Sequence, residues 1–274
     1  MRPTLPLETW DCHTHIYGPW DQFPLAPDAA YHPAAAPFAA LRRDHAALGV
    51  THGVLVQAAC YGADHGALLA ALAGSGGHYR GVALADVGIA EAELARLHAG
   101  GVRGVRFNFL GHLPGERDPQ RLRELAERIA PMGWHILLHG QPRELAPVLD
   151  AFDGLALPLV IDHMARLSPA MAADSASLAL LERHLAQPNG WIKLSGVDRM
   201  MGGVSDVWGG ALPLLRQLIG WAPQRCIWGS DWPHPNIAGA APEDAALLDF
   251  ILDACGDQAT AQAVLSDNPK RLYA

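Results

Sequence analysis

The chain lacks the equipment for several whole classes of function. It has no block of Lys or Arg: 20 basic residues are scattered against 28 acidic ones, giving a formal charge of −8 and a pI near 5.9. That balance repels phosphate-rich polymers, so nucleic acid is excluded as a partner, and any small anion must be met by a few placed arginines. The four cysteines, Cys12, Cys60, Cys226 and Cys255, contain no CxxC pair. Neither a disulfide framework nor a thiolate zinc site is indicated, and a reducing cytoplasm is expected. No run reaches the roughly 18 apolar residues that span a bilayer, and MRPTLPLETWDCHTH does not read as a secretory signal. No membrane partner is therefore expected. A GxGxxG after a strand, a GxxxxGK[ST] loop and a GxSxG elbow are all missing; the GVSDVWGG segment does not fit the last. Nucleotide cofactors and serine-esterase chemistry fall away with them.

What is present is a rhythm. Half the residues are hydrophobic and 18% charged, as suits a sheet buried on both faces. Short β-rich runs, Thr9–His15, Gly53–Ala58, Tyr79–Ala85, Val102–Phe107, His135–His139, Leu159–His163, Trp191–Ser195 and Cys226–Asp231, alternate with helical stretches. Those stretches are Phe38–Leu48, His65–Ala73, Ala90–Ala99, Pro119–Ala130, Pro142–Ala151, Ser175–Ala186, Ala211–Trp221 and Glu243–Cys255. Eight βα units predict an α/β fold of the (β/α)8 type, a TIM-type barrel in which residues 1–274 form a single domain. Gly49, Gly133, Gly220 and Gly256 fall where helices should stop. Two segments break the rhythm: Ile16–Pro37 predicts a loop over the barrel mouth, and the glycine-rich Val197–Gly210 a mobile lid.

Titratable residues recur at the ends of these strands. Strand alternation places Asp11, His13 and His15 of DCHTH on one face. It places His163 in line with Leu159 and Ile161, and Asp231 in line with Ile227 and Gly229. His139 ends the fifth strand. One buried histidine is usually a hydrogen-bonded core residue, but four strands delivering such groups to one rim point to chemistry. Arg106, Arg166 and Arg199 reach the same rim, where guanidinium groups would grip carboxylates in bidentate fashion. Gln57, Asn108 and Lys193 are further candidates there; Tyr31, His32 and Tyr61 are weaker ones. Arg42, Arg43, Arg121, Arg123 and Arg128 belong to helix surfaces.

With these residues in hand, the chain resembles the amidohydrolase superfamily, in the branch of pyrone-dicarboxylate, muconate and sugar-acid lactonases. The signposts are DCHTHIYGP at 11–19, FPLAP at 23–27, GVRGVRFNF at 101–109, IDHMAR at 161–166, WIKLSGVDR at 191–199 and WGSDWPHPN at 228–236. The resemblance implies a distorted barrel in which Asp231 is the base for an attacking water. His13, His15 and His163 would polarise the scissile carbonyl, and Arg106, Arg166 and Arg199 would hold substrate carboxylates. It also leaves two cofactor states: one divalent metal, zinc foremost, on His13, His15, His139 and Asp231, or no metal at all. The pyrone enzymes of the branch carry a tyrosine in place of His139 and a further arginine near His112. Those departures favour a metal here, and a substrate with fewer carboxylates or with hydroxyl groups.

The expected function is hydrolytic opening of a carboxylate-bearing lactone, a small-molecule substrate. A lactone isomerase and a metal-dependent decarboxylase or hydratase of the same superfamily are the enzymic alternatives. A barrel that binds an acid or a metal without turnover is the non-enzymic one. A homo-oligomer is compatible with all of them.

Overall fold

A computed structural model describes residues 2–113, 115–167, 175–201, 205–237 and 240–274. Eight strands follow one another in space as in sequence: β1 (Trp10–Thr14), β2 (His52–Val56), β3 (Tyr79–Leu84), β4 (Val102–Asn108), β5 (His135–His139), β6 (Leu159–Ile161), β7 (Gly190–Leu194) and β8 (Cys226–Trp228). Every neighbouring pair is parallel. Parallel neighbours need a crossover, and a helix supplies it each time. These are α1 (Phe38–Leu48), α2 (Gly66–Ala73), α3 (Glu91–Ala99), α4 (Pro119–Ile129), α5 (Pro142–Ala151) and α6 (Ser175–Ala186). After β7 come a short α7 (Val197–Met201) and then α8 (Leu212–Trp221), and α9 (Asp244–Cys255) follows β8. No described helix is long and apolar enough to cross a membrane.

The ring closes just beyond β8. Asp231 N donates to His13 O at 2.9 Å and His15 N to Trp232 O at 2.8 Å. Gly229 makes this possible, because a Cβ there would lie 2.4 Å from the Cβ of His13. The expected (β/α)8 barrel is therefore present, with strand ends within a few residues of those predicted. Gly49, Gly133 and Gly256 end helical segments at φ of 77°, 71° and 75°. Gly220 does not: α8 runs through it to Trp221.

Alternate strand residues separate into two layers. Leu55, Ala83, Val105, Ile136, Leu138, Ile161 and Ile192 join the helices in the main core. Val54, Val56, Val82, Leu137, Val160 and Ile227 form a second cluster, the lumen, with Trp10, Cys12, Trp191, Leu272 and Tyr273. By the same parity Arg106 and Asn108 of β4, His135 and His139 of β5 and Lys193 of β7 point inward.

In β1 the expected alternation fails. The register slips between Asp11 and Thr14, and this irregularity turns both Cys12 and His13 toward the lumen. Asp11 faces outward instead, with Oδ2 3.4 Å from Nε2 of His45 on α1. Its Oδ1 accepts from His13 N and Ser230 N, each at 3.0 Å, pinning the β1/β8 seam. Asp11 thus belongs to the scaffold beneath the histidines.

The segment after β1 does fold over the mouth. Tyr17 pairs with Ala36 in an antiparallel bridge, and Ala26 N donates to Cys60 O. Pro24–Asp28 and Ala30 then wall a cavity of about 940 Å³, whose inner side carries Arg106 and Asn108. Of the lid predicted at 197–210, Val197–Met201 is helical and 205–210 forms 3-10 turns; residues 202–204 lie outside the described residues.

Candidate active site

Asp231 sits where β8 ends, in a left-handed backbone conformation at φ 67°. Such conformations are sparsely populated outside glycine, Asn and Asp, and they concentrate at functional sites. The side chain is buried. Arg199 Nε donates to Oδ2 at 2.7 Å, while Oδ1 lies 3.6 Å from His13 Nε2 and 3.4 Å from His15 Nε2. Burial alone would raise this carboxyl, but the charge of Arg199, hydrogen-bonded to it, outweighs burial and holds Asp231 well below the usual carboxylate range. It is ionised at any ordinary pH.

His15 donates through Nδ1 to Val56 O at 2.8 Å, which leaves a lone pair on Nε2. His13 Nε2 is 3.2 Å from that nitrogen. Two imidazole nitrogens and a carboxylate oxygen therefore form a triangle with edges of 3.2, 3.4 and 3.6 Å. A tetrahedral shell with bonds of about 2.0–2.1 Å has edges near 3.3 Å, so the donor set fits a divalent ion such as zinc. His163 also qualifies: ligand atoms of His13, His163 and Asp231 all lie within 4.8 Å of one another.

Beneath the histidines lies a group that sequence reasoning missed. Asp162 is wholly buried and touches four others. Its Oδ1 is 3.1 Å from His13 Nδ1 and 3.7 Å from Lys193 Nζ, and its Oδ2 is 2.9 Å from Arg106 Nη2 and 3.6 Å from His163 Nε2. Burial opposes its charge, yet His13, His163, Lys193 and Arg106 hold the carboxyl well below its ordinary value. Lys193 Nζ also lies 3.1 Å from His13 Nδ1. His13, kept neutral chiefly by burial, therefore has two arrangements open to it. With its proton on Nδ1 toward Asp162, Nε2 is a lone pair ready for a metal. With Nδ1 accepting from Lys193, Nε2–H is a donor toward the mouth.

Asp162 was hidden by parity. It shares the inward face with Val160, so His163 in plain alternation would turn to the helices with Leu159 and Ile161. It reaches the site because His163, Met164, Ala165 and Arg166 are all left-handed, with φ of 48°, 51°, 54° and 56°. This reversed turn swings His163 to within 4.4 Å of the His13 ring, centre to centre, and Ser195 Oγ lies 2.9 Å from its Nδ1. Burial lowers His163 to about 4, so the ring is neutral at pH 7.

The three predicted arginines converge but are not equivalent. Arg106 is paired with Asp162 and Arg199 with Asp231. Arg166, brought in by the same turn as His163, has no ion pair among the described residues. Burial and the neighbouring Arg199 charge both disfavour its cation, so an anion beside it would be welcome. His139 donates through Nδ1 to Asn108 Oδ1 at 3.1 Å, leaving a buried Nε2 with no partner. Its ring stands edge-on to His163 at 5.4 Å. Gln57 spends its amide on the backbone, donating to Gly62 O and Asp64 O and accepting from Leu84 N; it braces the β2 and β3 loops.

A family model for amidohydrolases matches residues 10–274, nearly the whole chain. The chain belongs to the amidohydrolase family. It is 39% identical to a 2-pyrone-4,6-dicarboxylate hydrolase of Comamonas testosteroni, over 98% of this chain and 91% of that one. A 4-sulfomuconolactone hydrolase of Hydrogenophaga intermedia is 29% identical over 100% of this chain and 91% of the relative. Among solved structures, one described as a 2-pyrone-4,6-dicarboxylic acid hydrolase from Pseudomonas putida superposes with a TM-score of 0.83. It shares 31% identity and covers 98% of both chains. As an amidohydrolase with this buried, ionised cluster at the strand ends, the chain is built as an enzyme of hydrolytic type.

Proposed function

We propose that this amidohydrolase opens the ring of a carboxylate-bearing lactone. The carrying observation is Asp231: buried, ionised, anchored through Oδ2 by Arg199, and with Oδ1 beside two imidazole nitrogens. In the proposed reaction a water oxygen attacks the lactone carbonyl carbon while Asp231 takes its proton. Charge developing on the carbonyl oxygen meets neutral His13 and His163, preorganised by Lys193, Asp162 and Ser195. The ring C–O bond then breaks, and Asp231 returns the proton to the departing oxygen, giving a hydroxy acid or its enol form. A divalent ion, if bound by His13, His15 or His163 and Asp231, would supply Lewis-acid polarisation of the carbonyl.

Arg166 supports the carboxylate on the substrate, since it alone of the three arginines lacks an ion pair among the described residues. The adjoining cavity limits further charge. Asp28, Asp64, Asp86 and Glu116 line it, with Arg106 as the only guanidinium among its lining residues, and Arg106 is already paired. A second carboxylate at that end would be repelled, which favours a lactone carrying hydroxyl groups there. A cytoplasmic location is proposed on the sequence alone, and a homo-oligomer is compatible with the reading.

The test is Asp231→Asn, which keeps the shape and removes the base. With the best substrate from a panel of carboxylated lactones, kcat should fall by about 10²–10⁴. Wild-type turnover by the variant would sink the assignment.

A further inference from the structure

Two residues past His15, the Tyr17 side chain is wholly buried, and its hydroxyl has no hydrogen-bond partner. A buried hydroxyl gains nothing by being left unpaired, so an orphan beside a reaction centre calls for an explanation. Its backbone offers no escape route for the ring: N–H and C=O are both bonded to Ala36, at 2.9 and 2.8 Å. The ring lies 6.2 Å from that of His15 and stands edge-on to Tyr31 at 6.4 Å. The phenol is pushed well above its ordinary value, chiefly by burial and then by Tyr31, with Cys60 and Asp231 adding to it. Asp231 and Arg199 are thus both within electrostatic reach of this ring.

We propose that Tyr17 is a substrate-contacting residue, whose hydroxyl donates a hydrogen bond to an oxygen of the ligand seated beside His15, Asp231 and Arg199. This rests on the lactonase reading for the identity of that oxygen, a carbonyl or carboxylate of the lactone. The hydroxyl makes no hydrogen bond of normal length, its polar neighbour being the Tyr31 side chain, and it cannot rotate out to water, so a ligand oxygen can accept from it as from a preorganised donor. The residue continues the sequence run that carries His13 and His15, so one stretch of chain, DCHTHIY, delivers three groups to one site.

Tyr17→Phe deletes only the oxygen. For the lactone that wild type prefers, kcat/KM should fall about tenfold to a hundredfold. The thermal midpoint should stay within about a degree or two of wild type, because no protein hydrogen bond of normal length is lost. Unchanged kcat/KM, or a marked fall in the midpoint, overturns the proposal, the latter by showing a structural role. Calorimetric titration of both proteins with citrate, an anion that is not turned over, separates this from the lactonase reading. If wild type opens no lactone, that reading has failed, while citrate binding at least fivefold weaker in Tyr17→Phe still upholds the donor. Equal citrate affinity, or no citrate binding to wild type in the absence of lactone turnover, overturns it.

Discussion

Floor and mouth of the lumen are lined by the same eight strands, yet they are made of opposite materials. At the floor Trp10 stacks on Tyr273 at 6.1 Å, Tyr273 meets His135 edge-on at 5.0 Å, and Trp191, Val54 and Val160 complete an apolar plug. At the mouth, two to four residues further along the strands, the lumen holds His13, Asp162, Lys193, Arg106, His163 and Asp231, none of them more than 7% exposed. The floor can be stable by packing alone. The mouth is tolerable only because each charge is met by another, and it repays its desolvation in reactivity rather than stability.

That contrast is open to attack, starting with the largest expected effect. Asp162→Asn should cost about 3–5 kcal/mol by denaturant unfolding, since it leaves Arg106 and Lys193 buried without their counter-charge, and it should depress kcat as His13 and His163 lose their partner. A small stability loss would mean that the mouth network is not closed in the way the distances suggest. Trp10→Ala should cost a similar or slightly smaller amount, at the lower end of about 3–5 kcal/mol. It should leave kcat and KM unchanged below the melting range; an altered KM would show that the floor shapes the site. Arg166→Met should raise KM for acidic lactones about tenfold, a change of roughly 1.4 kcal/mol, with neutral esters unaffected. Equal effects on both classes would remove the carboxylate clamp.

The effect that is smallest at neutral pH, and grows as the solution is acidified, belongs to the floor side. His135 is lowered to about 3 and His184 to about 4, both mainly by burial, whereas an unfolded histidine titrates near 6.5. Between those values the unfolded chain binds more protons, so stability is complete above pH 6.5. It declines as pH falls toward 4, with a limiting slope of about 1.4 kcal/mol per pH unit for each group. Unfolding free energies measured across that window should show the decline, and His184→Asn should make it shallower by one group's share. A flat wild-type profile would refute the assignment.

Much of this was legible in the sequence because it is local. Periodicity of two and of 3.6 located all eight strands and their helices, and strand ends located Asp231, His139, Arg106 and Asn108 by parity alone. What escaped was what the chain does between such signals. The slip in β1 sends Asp11 to His45 and rescues His13 for the lumen, although HxH read as simple alternation. Asp162 looked like a neighbour of His163 and is the hub instead, because nothing in DHMAR announces four left-handed residues in a row. Gln57 and Gly220 look functional or terminal until their partners are seen: three backbone groups for one, an unbroken helix for the other. Tyr17 carried a signal that was available, two residues past His15, but its unpaired hydroxyl is a property of the packed state.

The reversed turn from His163 to Arg166 has a consequence for how such an enzyme can change. It mounts His163 and Arg166, which the proposed reaction would turn to the carbonyl and to the substrate's acid, on a single four-residue turn of fixed hand. The two cannot be retuned separately: a shift that moves the guanidinium toward a longer or shorter acid drags the imidazole with it. New substrates should therefore be acquired from the opposite wall, around Pro24–Asp28, Gly111, His112 and Glu116, where inheritance can experiment without disturbing the centre.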